Sequence, residues 1–444
     1  MVVAASLATT LTLSGCAGAG SIGGDGDGTT ITVAIVSNSQ MSDAISLAPE
    51  FEAENPGIKL KFVSLSENEA RAKITASVAT GGGEFDVVMI SNFETPQWAE
   101  NGWLTNLSEY ADATPGYDED DFIPTLKESL SYEGSMYSVP FYGESSFLMY
   151  RKDLMEAAGI TMPEEPTWQE VADAAAKLDS PDVSGICLRG KPGWGEVLAP
   201  LNTVINSFGG RWYDEDWNAQ LTSPETEAAV QFYVDTVREH GQPGAATSGF
   251  SECGTQLSQG NTAMWYDATS AVSVLEDPTS SNVVGKIGYA KAPSEAKGDN
   301  GWLYSWALGI PTTSENPDDA WKFVSWMTSK EYLNKVGNEL GWERVPPGSR
   351  LSTYEIPEYK EASAAYGQVT LDSINGADPN NPTVDPVPYT GVQFLTIPEF
   401  QDLGTRVSQQ ISAAVAGRIS VQDALEQAQQ YAEVVGKTYQ EGQG

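Results

Sequence analysis

Apolar residues between positions 31 and 90 alternate between two periods, and this pattern constrains the fold more than any other feature of the chain. Positions 31–36, 59–63 and 86–90 read as strands, whereas 43–54 and 67–80 carry helical patterning. Strand and helix in succession build a mostly parallel sheet covered by helices, so the fold class is α/β. Later helices announce themselves by their caps. Thr167-Trp168-Gln169-Glu170 predicts a capping box ahead of an apolar face of Val171, Ala174, Ala175 and Leu178. Ser223 before Pro224 opens another helix, with Val230, Tyr233, Val234 and Val237 on one side. Ser420 caps a third, carrying Val421, Ala424, Leu425, Ala428, Tyr431, Ala432 and Val435 at helical spacing. These stripes are core.

A chain of 444 residues with 40% hydrophobic content can bury two cores, which predicts two lobes. Its 61 acidic and 24 basic residues give a net charge of -37, which repels phosphate backbones and anionic headgroups. Nucleic-acid binding is excluded on that ground.

The apolar run 2–13 has the length of a signal peptide and is too short for a bilayer of about 30 Å. It ends on Leu13-Ser14-Gly15-Cys16, which resembles the lipobox of bacterial lipoproteins. The resemblance implies cleavage before Cys16 and lipidation of Cys16, so the membrane is reached only through that anchor. Residues 1–16 are thus expected to be signal and lipobox, and the glycine-rich 17–29 a flexible tether. Gly18, Gly20 and Gly23 match G-x-G-x-x-G, but no strand precedes them and no helix follows, so no dinucleotide site is read there. Setting Cys16 aside leaves Cys187 and Cys253, expected to be disulfide-bonded in an oxidising compartment; the alternative is two separately buried thiols.

Catalytic constellations are scarce. The single histidine, His240, ends a helical run and reads as a surface residue near the last carbonyls, which leaves neither a zinc site nor a Ser-His-Asp triad. No metal and no cofactor is expected. A glycoside hydrolase needs only two carboxylates and stays open as the enzyme alternative. A surface adhesin is the third.

Several strand ends run straight into aromatic and charged residues: Ser91-Asn92-Phe93-Glu94, Phe141-Tyr142-Gly143-Glu144, Arg189-Gly190-Lys191 leading to Trp194, and Trp265-Tyr266-Asp267. Ligands of open α/β sheets bind at such tips. Trp194, Trp212, Trp217, Trp265, Trp302, Tyr304, Trp306 and Trp342 lie in turn-rich sequence, and ring faces beside carboxylates suit a polyhydroxylated ligand. Two to four of these rings are expected to touch it.

The lipobox, the tether, Phe51-Glu52-Ala53-Glu54-Asn55-Pro56-Gly57-Ile58 and Gly82-Gly83-Glu84-Phe85-Asp86-Val87 together resemble family 1 extracellular solute-binding proteins of ABC importers. Gly185 through Glu196, Trp265 through Ser270, Gly301 through Ala307 and Ile397 through Thr405 look like the branch that takes sugar alcohols such as mannitol and sorbitol. The resemblance implies a two-lobed, periplasmic-binding-protein-like fold of type II, each lobe a mostly parallel sheet flanked by helices, joined by a hinge. It places 30–140 with 268–320 in one lobe and 141–267 with 321–444 in the other. Chain crossings are expected near 140–144, near Asp267 and within 310–330. It further implies a monomer held at the extracytoplasmic face of the cell membrane, delivering a small polyol or related sugar to an ABC permease. Glu144 and Asp267 are the expected acceptors from ligand hydroxyls, Arg189 a bidentate donor, Asn92 a mixed donor and acceptor, and Trp265 and Trp302 packing walls. Asn38, Tyr142, Trp194 and Arg344 complete the candidate set. Trp265, Asp267, Arg189 and Glu144 are expected to converge on one hollow.

Overall fold

β1 (Thr29–Val36) is buried at Ile31 and from Val33 to Val36, so both faces are covered, and its near-continuous apolar run follows from that. The computed structural model describes residues 28–298 and 300–442. The signal, the lipobox with Cys16 and nearly all of the expected tether lie outside the described residues. The tether ends earlier than expected, because Thr29 is already in the sheet, its amide donating to Gly57 O at 2.6 Å.

β2 (Ile58–Leu65) pairs parallel with β1 from Thr29↔Ile58 to Val36↔Leu65, and β3 (Val87–Ser91) flanks β1 on the other side, also parallel. β4 (Ser131–Tyr132) and β5 (Ser135–Met136) form a short hairpin, after which β6 (Ser138–Glu144) reaches the edge of the first sheet. One residue later β7 (Ser146–Arg151) begins the second sheet, with β8 (Met264–Ala268) and β9 (Ile287–Lys291) on either side. β10 (Tyr304–Gly309) then returns to the first sheet, giving the order β2-β1-β3-β10-β6. In the first lobe β10 runs against its neighbours, and in the second β7 does. All other strands of each sheet share one direction, and parallel bridges at Ser184, Ile186 and Cys187 extend the second sheet beyond β8.

Sheet membership redraws the expected lobe boundaries. The first crossing lies at Ser145, between β6 and β7, next to its expected place. Beyond Asp267 the chain only touches the first lobe, where Gln40 Nε2 donates to Ser273 Oγ at 3.1 Å, before β9 rejoins the second sheet. The return thus falls between Lys291 and Tyr304 rather than near Asp267. Helices Pro317–Met327 and Lys330–Glu339, expected in the second lobe from residue 321 onward, belong to the first: Phe323 and Trp326 each lie 5.4 Å from Phe51. Arg350 is tied there too, donating to Tyr117 O, Asp118 O and Thr328 O, so the third crossing comes later than 310–330. Hinge strands join partners remote in sequence, and local patterning carries no record of which sheet recruits them.

Local signals fare better. Thr167 Oγ1 accepts from Glu170 N at 3.2 Å while Glu170 Oε2 accepts from Thr167 N at 2.8 Å, the reciprocal capping box. Ser223 Oγ accepts from Thr226 N at the start of Pro224–His240, whose Val230, Tyr233, Val234 and Val237 are all buried. Helix Val421–Gly442 buries Val421, Ala424, Leu425, Ala428 and Ala432, while Tyr431 and Val435 are half-buried. Cys187 and Cys253 form a disulfide with Cα atoms 5.6 Å apart, tying the Arg189 segment to helix Phe250–Ser258.

Candidate ligand-binding cleft

A cleft of about 410 Å³ lies between the lobes. Strand ends and helix starts supply its walls. Asn38 caps helix Ser39–Glu54 beyond β1, its Oδ1 accepting from Met41 N, and its Nδ2 donates to Tyr142 Oη at 3.0 Å. Tyr142 and Glu144 close β6, Arg189 and Glu196 stand on the loop beyond Cys187, and Trp302, Tyr304 and Trp306 line β10 and its approach.

Burial pushes the Glu144 carboxyl up to about 8, although the Ser270 hydroxyl donates to its Oε2 and the Arg189 charge favours ionisation. Burial opposes the Arg189 charge, yet Asp267, with Glu196 and Glu67 behind it, holds the guanidinium above its ordinary range. Arg189 Nε and Nη2 donate to Asp267 Oδ2 and Oδ1 at 2.8 and 2.5 Å, and Nη1 donates to Gly195 O at 2.9 Å. Glu196 is also raised, chiefly by burial and then by Glu67, while Lys191 Nζ sits 2.9 Å from its Oε1.

Of the ten expected ligand residues, Asn38, Tyr142, Glu144, Arg189 and Trp302 line the cleft; Asn92, Trp194, Trp265, Asp267 and Arg344 do not. Asp267 has no exposed surface. Its oxygens accept from Arg189 twice, from Trp265 Nε1 at 2.9 Å and from Ala268 N at 2.7 Å, which leaves it no free position for a ligand hydroxyl. Trp265 packs with the disulfide, behind the cleft wall. The four residues expected to converge thus form two layers, Arg189 and Glu144 in front, Asp267 and Trp265 behind. Asn92 is engaged with β10, accepting from Ser305 N at 3.0 Å. Arg344 bonds Asp43 and lies 2.7 Å from Asp277, a structural bridge between helix Ser39–Glu54 and the turn after Leu275.

Sequence reasoning missed Arg71, Glu67, Glu196, Phe250, Gln393 and Phe394, all of which line the cleft. Arg71 is nearly buried, donating to Glu67, to Glu94 Oε1 at 3.0 Å and to Tyr304 Oη at 2.5 Å, with Trp306 4.7 Å from its guanidinium. Three of the eight expected rings, Trp302, Tyr304 and Trp306, reach the cleft. Trp217 instead stacks on Tyr439 at 3.9 Å, and Trp212 packs on Phe400.

Glu196 Oε2 and Trp302 Nε1 are buried and make no hydrogen bond among the described residues, although Glu196 Oε2 lies 3.7 Å from Arg189 Nη1 as an ion pair. Buried polar groups are rarely left so.

The bacterial extracellular solute-binding protein family matches residues 36–333. The chain belongs to that family. It is 44% identical over 405 residues to the mannitol-binding protein of Pseudomonas aeruginosa, covering 90% of this chain and 92% of that one. A solute-binding protein of Agrobacterium vitis, solved with bound D-mannitol, superposes with a TM-score of 0.90 at 46% identity, covering 92% of this chain and 99% of its own. A second, from Agrobacterium radiobacter in complex with ribitol, gives 0.81 at 25% identity with the same coverage.

This solute-binding protein is therefore a binding component of an ABC transporter and not an enzyme, which sets aside the paired-carboxylate hydrolase. No described helix is long and apolar enough to cross a membrane. Its two lobes meet across the cleft. Asn68 Nδ2 donates to Pro192 O at 3.1 Å, the Arg71 guanidinium lies 4.2 Å over Trp194, and Phe93 is 4.9 Å from the same ring. Trp194, expected to touch ligand, thus joins the lobes instead.

Proposed function

We propose that this protein captures a small acyclic polyol, mannitol or a related hexitol, pentitol or sugar, between its lobes and delivers it to the permease subunits of an ABC importer. It acts as a monomer, lipid-anchored through Cys16 at the extracytoplasmic face of the cell membrane. The carrying observation is the set of polar side chains that line one cleft, Asn38, the Glu144 carboxyl, Arg189 and Lys191, beside the rings of Trp302, Tyr304 and Trp306. Carboxylate acceptors beside guanidinium and ammonium donors match hydroxyl groups, each of which donates once and accepts twice. The rings of Trp302, Tyr304 and Trp306 supply faces for the ligand's C-H edges. The mannitol and ribitol held by the two similar solved proteins support the same ligand class.

Closure requires a ligand that favours the closed form, since only differential affinity moves the equilibrium. Thermal unfolding with hexitols, pentitols, monosaccharides and oligosaccharides tests the reading. A polyol at about 100 times its dissociation constant should add about 2.7 kcal/mol of stability. Stabilisation by oligosaccharides and by no polyol overturns it. Labelling with palmitate, lost in Cys16→Ser, tests the anchor.

A further inference from the structure

A second cavity, of about 200 Å³, abuts the cleft and shares Tyr304, Gln393 and Phe394 with it as walls. We infer that Phe394 closes one end of the cleft and sets the greatest ligand length the site accepts, so that a hexitol fits and a hexitol bearing a pyranose does not. The inference rests on the polyol reading above and adds its length limit.

The three shared residues are not equivalent. Tyr304 belongs to β10 and its hydroxyl accepts from Arg71, while Gln393 Nε2 donates to Leu303 O at 3.0 Å and the main-chain carbonyl of Gln393 accepts from Asn202 Nδ2 at 2.7 Å. Removing either side chain takes a hydrogen bond from a polar group behind the wall, Arg71 Nη2 or Leu303 O. Phe394 has an apolar side chain held among rings, with Trp194 at 4.8 Å, Tyr304 at 5.7 Å, Phe400 at 6.1 Å and Phe93 at 6.2 Å. Its side chain is the one part of the partition that can shrink without such a penalty.

The backbone beneath it stays put for separate reasons. Gly391 sits at φ +109°, its amide donates to Pro379 O at 2.7 Å, and Asn206 Nδ2 holds Val392 O at 2.8 Å. Beyond the partition, the second cavity has the Phe93 ring on one side and the exposed Asn380 and Thr390 at its rim, so it opens to solvent. A ring face with hydroxyl and amide groups suits a pyranose.

The test is calorimetric titration of the wild type, Phe394→Ala and Phe394→Val with D-mannitol and with maltitol, a glucosyl hexitol. Wild type is expected to bind the hexitol and to bind maltitol at least about 100-fold more weakly. Phe394→Ala should strengthen maltitol binding at least about tenfold while weakening the hexitol. Phe394→Val, which keeps a branched apolar side chain, carries the same test should the alanine variant not fold. Wild type that binds both ligands equally, or a folded variant whose preference is unchanged while wild type binds the hexitol, overturns the length limit alone. Wild type that binds no polyol overturns the polyol reading and the limit with it.

Discussion

Asp267 holds Arg189 through two parallel hydrogen bonds of 2.5 and 2.8 Å and has no exposed surface, so the carboxylate reaches the cleft only through the guanidinium it orients. Asp267→Asn breaks a buried pair and is expected to cost about 3–5 kcal/mol of stability. Polyol affinity, measured by calorimetry at a temperature where the variant is folded, should also fall by about tenfold or more, equivalent to 1.4 kcal/mol. A destabilised variant with unchanged affinity assigns Asp267 to stability alone.

Trp194 lies over Arg71 across the lobe boundary. A desolvated cation–π contact contributes about 0.5–2 kcal/mol, so Trp194→Ala should weaken ligand binding by roughly 2- to 30-fold. Small-angle scattering of the unliganded variant should show a larger radius of gyration than wild type. An unchanged radius with unchanged affinity rules out a part in closure.

Burial raises the Glu144 carboxyl to about 8, above its unfolded value. Between those values the folded chain binds the extra proton, so the associated stability is full below the unfolded pKa and is lost as pH rises through about 8. Unliganded wild type should therefore lose more stability between pH 5 and 9 than Glu144→Gln does. Ligand hydroxyls donating to Glu144 favour the carboxylate, so affinity should rise with pH in wild type and stay flat in the variant. Parallel pH profiles for the two proteins contradict this.

The Cys187–Cys253 bridge spans 66 positions and joins the Arg189 segment to the helix that begins at Phe250. Chain-entropy reasoning puts its contribution at about 4 kcal/mol at most. The double serine variant should unfold at lower denaturant concentration by urea titration, with a slope no smaller than that of the wild type because its unfolded chain is no longer tied. An unaltered midpoint refutes it.

Alternation of strand and helix was legible because burial imposes its period on local sequence, and the caps at Thr167 and Ser223 were legible because they use only neighbours three residues apart. Glu144 and Arg189 were placed on the cleft lining by their position at strand tips, and Trp302 by its ring in turn-rich sequence. Asp267 and Trp265 were misplaced by one layer, since residue type does not distinguish a group that meets a ligand from the group that supports it. Glu67 and Arg71, spaced as an ordinary helix-surface pair, gave no sign that the lobes bury them together. Phe394 stands in irregular chain with no period, where only the fold shows what lies on its two sides.

Calorimetric titration of the wild-type protein with D-mannitol, repeated with Arg189→Met, tests the polyol cleft most directly. Saturable binding of one equivalent by the wild type, lost or weakened at least about 100-fold in the variant, is the expected result. Equal affinity in both proteins, or no heat from the wild type with any hexitol or pentitol, contradicts it.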